Sequence, residues 1–294
     1  LNNFLILGGA GIVGSFVARM LQERGYEPTI VDLVPSPLAV DYRVMDALGL
    51  PEQAPGLLEA IDAIVLALPE DVAIQVLERY AGALASIQVI INTCSVQGPF
   101  QRRAESLFPD VPCVGINPMF SPTLDCRGRP VVVCERTASK AGDWFETLLH
   151  EQDMQVRRLS PDEHDQAMAV CQALPHAAIL AFTFALSRSQ CDLETIQALA
   201  PPPMRTLLSL SARILLNAPV TYWDIQKHNS AGQLQRDRLS DSLAMLDQLC
   251  GLDTPERFAE EIVAVRRQLG GYVDEYGKTC ETLFNVLSPS GRND

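Results

Sequence analysis

The chain has no basic stripe. Its 294 residues carry 23 Lys and Arg against 36 Asp and Glu, a formal net charge of −13. With no positive surface to meet a phosphate backbone, nucleic acid is not an expected partner. An acidic protein that takes an anionic ligand needs local cations, so its individual arginines are informative. The eight cysteines, at 94, 113, 126, 134, 171, 191, 250 and 280, include no C-x-x-C pair and no His/Cys cluster. They read as free thiols in or near the core of a cytosolic protein, and no metal site is expected. No apolar run of membrane-spanning length is read in the sequence, and no signal peptide precedes the first strand pattern. The expectation is a soluble cytoplasmic protein with no membrane partner. A 47% hydrophobic and 20% charged composition is an ordinary globular balance, and the length suits two domains.

What is present begins at once. The apolar run Phe4-Leu5-Ile6-Leu7 leads into Gly8-Gly9-Ala10-Gly11-Ile12-Val13-Gly14. Residues 9–14 match G-x-G-x-x-G, a helix-like run follows at 15–23, and a second strand at 28–31 ends on Asp32. That order suits a dinucleotide. Gly9 makes the tight turn, Gly11 lets backbone approach the pyrophosphate, and Gly14 lets the helix pack close to the sheet. The helix N-terminus at Ile12 and Val13 offers unpaired N–H groups and a positive dipole end. Asp32 is placed to hydrogen-bond a ribose diol and to repel a 2′-phosphate, so NAD is expected rather than NADP. The next strand candidate, 63–68, stops at Leu68-Pro69, further cofactor-contact candidates at a carboxyl strand end.

The first half alternates strand-like and helix-like patterns. Helices are predicted at 51–60 and 72–84, and strands at 63–68, 89–92, 113–116 and 130–134. Nearly continuous apolar strands between helices describe a parallel sheet covered on both faces. From about Asp162 strand signals vanish and helical runs take over at 163–186, 193–199, 204–216, 231–249 and 255–283. The predicted fold is therefore α/β, a Rossmann-like domain over 1–160 followed by an all-α domain over 161–294. The run 173–186 is apolar on all sides, so it is buried within its domain or against another subunit, and a homodimer is expected. The tail 288–294 is expected to fray.

Ligands of open α/β sheets bind beyond the carboxyl ends of the strands. Two such ends carry Asn92-Thr93-Cys94-Ser95-Val96-Gln97-Gly98 and Ile116-Asn117-Pro118-Met119-Phe120-Ser121-Pro122. The helical half holds Glu163-His164-Asp165-Gln166, then Gln172-Ala173-Leu174-Pro175-His176, then Arg205 and Arg213 eight residues apart on about the same helix face. Each has a plainer reading. Asn117 is a site residue or a turn former before proline; Ser95 is a site residue or a helix cap. His164 contacts substrate or makes a surface or interdomain hydrogen bond. His176 contacts substrate or is a satisfied core histidine. Arg213 sits in an apolar stretch, so it needs an anionic partner, whether substrate or protein. Arg205, on the same face, is a further substrate-binding candidate, or a plain surface cation.

These segments, in this order over almost the whole chain, resemble the prephenate and arogenate dehydrogenase family. The resemblance implies oxidation of a cyclohexadiene dicarboxylate by hydride transfer to NAD(P), with loss of carbon dioxide and aromatisation. It implies that Ser95 hydrogen-bonds near the reacting ring substituent, that Arg213 grips a substrate carboxylate, and that His176 positions the substrate. One departure stands out. Where the family places its catalytic histidine, before Pro-Met, this chain has Asn117, which cannot act as a general base near neutral pH. Losing such a base costs about 10²–10⁴-fold in rate. If the ring carries an amino group instead of a hydroxyl, the nitrogen lone pair expels hydride unaided, and an acceptor that orients the N–H bonds suffices. The aminodeoxyprephenate dehydrogenases within the family use this chemistry. The expectation is NAD-dependent oxidative decarboxylation of 4-amino-4-deoxyprephenate to 4-aminophenylpyruvate. The alternatives are prephenate or arogenate dehydrogenase activity with another group replacing the histidine, or a non-catalytic NAD or metabolite sensor.

Overall fold

Phe4–Leu7 forms β1, and all four of its side chains are buried. Successive residues of a strand face opposite sides, so Phe4 and Ile6 enter one apolar layer while Leu5 and Leu7 enter the other. A strand covered on both faces has no polar positions to alternate with, hence the unbroken apolar run in the sequence. The computed structural model describes residues 1–84 and 86–287; the tail expected to fray, 288–294, lies outside the described residues.

The sheet has eight strands in the order β3-β2-β1-β4-β5-β6-β7-β8. They are β2 (Thr29–Asp32), β3 (Tyr42–Val44), β4 (Ala63–Leu66), β5 (Val89–Asn92), β6 (Cys113–Pro118), β7 (Pro130–Cys134) and β8 (Gln155–Leu159). The six strands from β3 across to β6 pair in parallel. The parallel reading needs correction at one edge, where β7 runs antiparallel to β6, and β8 is parallel to β7. Residues 119–129 contain no helix, and without a crossover helix the chain turns back instead of crossing over.

Helices cover both faces. α1 (Ile12–Glu23) and α6 (Lys140–Glu151) bury Phe16, Val17, Phe145 and Leu149 in the layer with Phe4 and Ile6. α3 (Pro55–Glu59), α4 (Glu70–Tyr80) and α5 (Gly98–Leu107) bury Leu58, Leu77, Tyr80 and Phe100 in the layer with Leu5 and Leu7. The short α2 (Leu50–Gln53) precedes α3, so the predicted helix at 51–60 is two short ones. Each fully buried large apolar side chain contributes about 1.5–3 kcal/mol. α1 leaves β1 toward one face, whereas α4 lies on the other. The strand order therefore reverses beside β1, creating a ligand crevice at the carboxyl ends of β1 and β4.

The chain divides into two compact units. Leu1–Ala169 and Trp223–Ala231 make the first; Val170–Tyr222 and the chain from Gly232 make the second. The division falls nine residues after the predicted boundary, because α7 (Pro161–Met168) belongs to the sheet unit, where it packs on α5, β7 and β8. The second unit contains α8 (Leu174–Ser187), α9 (Leu193–Leu199), α10 (Pro202–Leu216), α12 (Gly232–Cys250), α13 (Glu256–Leu269) and α14 (Tyr272–Val286). α11 (Pro219–His228) spans the second division point. α8 packs on α10 and α12, with the Thr183 and Ser211 hydroxyls 2.8 Å apart. The helix predicted at 255–283 is two helices, broken at Gly270-Gly271.

The run 161–187 is helical throughout but contains a π turn at Ala169–Ala173. Pro175 explains it. Proline supplies no N–H and its ring clashes with the carbonyl four residues back, and a wider turn relieves the clash. At 27 residues this run is long and apolar enough to cross a membrane, which corrects the sequence reading that none is. Gln166, Gln172 and His176 lie along it, polar groups that are costly against lipid and suited to facing protein or a ligand.

Candidate active site

The turn after β1 is shaped by contact distances. Gly8 has φ +77°, and a Cβ there would lie 2.2 Å from the Ala67 carbonyl oxygen. A Cβ at Gly14 would lie 2.3 Å from the Gly8 carbonyl oxygen. The left-handed residue is thus Gly8, one position before the first fingerprint glycine Gly9, and Gly14 is required by the close approach of helix to turn. α1 has Gly11 at its N-cap with no side-chain cap, and no acidic residue in its first turn. The N–H groups of Ile12, Val13 and Gly14 therefore lack intrahelical acceptors and face no competing carboxylate. Asp32 meets this turn directly: its Oδ2 accepts from the Ala10 N–H at 2.9 Å and its Oδ1 from the Val34 N–H at 3.3 Å. Half-buried Leu68 touches the same turn, its Cδ2 lying 3.0 Å from the position of a Gly8 Cβ, and Pro69 is exposed beside it. The cradle that side chains would fill, the uncapped helix end and the carboxylate together fit a dinucleotide.

The ends of β5 and β6 carry Ser95 and Asn117. Ser95 is half-buried, and its hydroxyl makes no hydrogen bond among the described residues. It does not cap α5, whose N-cap is Gln97. The capping group there is the Asp165 carboxylate, which accepts from the Gln97 N–H and the Gly98 N–H, each at 2.8 Å. Gln97 in turn donates from Nε2 to the Cys94 carbonyl at 2.7 Å. A Cβ at Gly115 would overlap its side chain.

Asn117 is 5% exposed, and its amide nitrogen lies 2.9 Å from His164 Nε2. His164 is wholly buried, and its Nδ1 lies 2.8 Å from Asp165 Oδ1. The surface role considered for His164 is therefore excluded. A capping box at Ser160 and Glu163 fixes the first turn of α7 and so the direction of His164. Asp165, not singled out in the sequence, is the hub: its carboxylate takes two amides and the imidazole, and its carbonyl accepts from Asn229 Nδ2 at 2.7 Å.

Glu70 was also missed. Only 2% exposed, it has no partner for either carboxylate oxygen among the described residues. Burial, then the neighbouring charge of Asp224, pushes its pKa up to about 8. Asp224 accepts from the Glu70 N–H at 3.3 Å.

In the helical unit, His176 stands edge-on to Tyr222 with ring centroids 5.0 Å apart. Its pKa is lowered by burial and by the charge of Arg213. His176 and Arg213 thus lie within electrostatic reach of each other. Arg213 itself is exposed although its stretch of sequence is apolar, and it forms no ion pair among the described residues, so the protein partner considered for it is not found there. Arg205 does not join them through its Nε, which donates to the Ala200 carbonyl at 3.0 Å. Gln172 Oε1 and His176 Nδ1 are buried without partners among the described residues, polar atoms suited to a ligand.

Comparison with known proteins gives consistent matches. Residues 160–265 match the family model described as prephenate dehydrogenase, dimerization domain. The chain is 32% identical over 285 residues to the 4-amino-4-deoxyprephenate dehydrogenase of Streptomyces pristinaespiralis, covering 96% of each. It is 27% identical to the T-protein of Enterobacter agglomerans, over 83% of this chain and 62% of that one. Among solved structures, the prephenate dehydrogenase from A. aeolicus in complex with hydroxyphenyl propionate and NAD+ superposes with a TM-score of 0.72 at 18% identity. That match covers 91% of this chain and 97% of the other. Synechocystis arogenate dehydrogenase gives 0.65 at 19% identity, over 93% and 99%.

Proposed function

Because the chain belongs to the prephenate dehydrogenase family, we propose that it catalyses the NAD-dependent oxidative decarboxylation of 4-amino-4-deoxyprephenate to 4-aminophenylpyruvate. When bound, NAD supplies the hydride acceptor. Gly9, Gly11, Ile12, Val13 and Gly14 hold its pyrophosphate, Asp32 its ribose, and Leu68 and Pro69 line the same turn.

The observation that carries the choice of substrate is the state of Asn117. Its amide nitrogen is committed to His164 at 2.9 Å, so its oxygen is the atom left to accept a hydrogen bond. An acceptor without basicity suits a neutral ring amine. The amine lone pair expels hydride from its own carbon, leaving an iminium; the ring carboxylate then departs as carbon dioxide, and its bonding pair enters the ring and discharges the iminium to an aniline. No proton has to be removed in the hydride step. The Ser95 hydroxyl hydrogen-bonds beside the same substituent, Arg213 pairs with a substrate carboxylate, and His176 positions the side chain. Arg205, whose Nε is held by the Ala200 carbonyl, is a further candidate contact to the substrate.

The helical unit is the homodimer surface in this reading. It leaves Phe184, Leu215, Leu216, Val263 and Tyr276 exposed, apolar area that a second copy would cover. Eight free cysteines suit a reducing cytoplasm. The second reading, turnover of a hydroxyl-bearing prephenate, draws on the imidazole of His164 lying directly behind Asn117. Incubation of the purified protein with NAD and each substrate, with product identified by mass, tests the assignment. The expected product is 4-aminophenylpyruvate with stoichiometric NADH; no turnover of the amino substrate contradicts it.

A further inference from the structure

We propose that His164 is a positioning residue that fixes which end of the Asn117 amide faces the ring substituent. The proposal rests on the substrate reading above, but its geometric half stands apart from it.

A carboxylate only accepts hydrogen bonds. Asp165 Oδ1 lies 2.8 Å from His164 Nδ1, so Nδ1 carries the proton. In the neutral imidazole Nε2 is then an acceptor, and the partner 2.9 Å away must donate. The Asn117 amide group supplies that donor, and its oxygen turns to the opposite side. Asn117 is nearly buried and His164 fully so, so an inverted amide would set two acceptors against each other out of water, an arrangement that burial penalises. The tautomer is itself held from behind. Asp165 is anchored by the Gln97 and Gly98 N–H groups at the start of α5, where the helix dipole favours its charge. The order Asp165, His164, Asn117 therefore passes one polarity outward: acceptor, donor to acceptor, donor to acceptor, ending in an exposed-end acceptor. A ring amine presents donors to that oxygen. The same relay would orient a histidine at 117, whose ring N–H would be drawn to His164 while its other nitrogen stayed free.

Two experiments test this. In wild-type enzyme with labelled histidine, nitrogen NMR at pH 7.5 reads the tautomer of His164, one of four histidines in the chain. The neutral form protonated at Nδ1 is expected; a form protonated at Nε2, or at both nitrogens, overturns the proposal whether or not any substrate turns over. The second compares His164→Gln, which keeps an acceptor near the Nε2 position, with His164→Leu, which does not. His164→Leu is expected to lower kcat on 4-amino-4-deoxyprephenate by about 10²-fold and to erase the preference over prephenate, with NAD affinity unchanged. His164→Gln is expected to retain most of both. Equal losses on both substrates, or equal behaviour of the two variants, would mark His164 as merely structural. If the leucine variant fails to fold, the glutamine variant and the tautomer decide. If wild type turns over neither substrate while the tautomer is as expected, the substrate reading fails and the relay stands.

Discussion

Glu70 gives the sharpest physical prediction. Its carboxyl titrates near 4.5 when exposed, as in the unfolded chain, and near 8 in the folded protein. Between those values the native state holds a proton that the unfolded state has released, so folding stability falls as pH rises through the window. Below about pH 4.5 both states are protonated and the penalty is absent; above about pH 8 both are ionised and it is complete. At about 1.4 kcal/mol per pH unit, the ceiling is on the order of 5 kcal/mol. Water admitted to the ionised group reduces this to a few kcal/mol. Glu70→Gln removes the titration while keeping the shape. In thermal unfolding from pH 5 to 8.5, wild type should lose several degrees more than the variant, at roughly 2–4 °C per kcal/mol for a chain somewhat smaller than this. Parallel curves for the two proteins would refute the assignment of a buried, unpartnered carboxyl at this position.

Three other predictions concern binding. Gly14→Ala places a methyl 2.3 Å from the Gly8 carbonyl oxygen, so NADH affinity, read by fluorescence titration, should drop at least 10-fold. Unchanged affinity would mean the helix does not pack on the turn as described. Asp32→Ser removes the carboxylate held by the Ala10 N–H; the ratio of NADP to NAD turnover should rise, and a constant ratio contradicts the ribose assignment. Arg213→Ala should raise KM for the dicarboxylate with little change in NAD affinity. It should also raise the His176 pKa measured by NMR, because part of the downward shift comes from the Arg213 charge.

The central strands were legible because burial on both faces forces apolar runs, as in β1, β4 and β5. The edges were not. All of β3 is exposed, and in β8 only Val156 is buried, so neither shows an apolar pattern, as sheet edges often do not. α6 escaped the reading although Ser139 caps it. The reversal at β7 depends on a loop lacking a helix, which local patterns do not announce. Pro175 was visible, but its consequence, a π turn within an unbroken helical run, needed three-dimensional bookkeeping. At the site, the fingerprint and Asp32 were readable from spacing. His164 and Asp165 were seen as part of a motif, yet the contact of His164 with Asn117 across 47 residues of sequence has no local signature. Glu70 looked like an ordinary acid in the first turn of a helix, and only burial distinguishes it.

The central claim is that Asn117 selects the amino substrate. Its most direct test is NADH formation from 4-amino-4-deoxyprephenate and from prephenate by wild type and Asn117→His. Wild type should strongly prefer the amino substrate. The variant, supplied with a base oriented by His164, should gain on prephenate by a factor of the order of 10²–10⁴. Wild-type turnover of prephenate equal to or better than that of the amine would contradict the account and assign the protein to hydroxyl-bearing substrates.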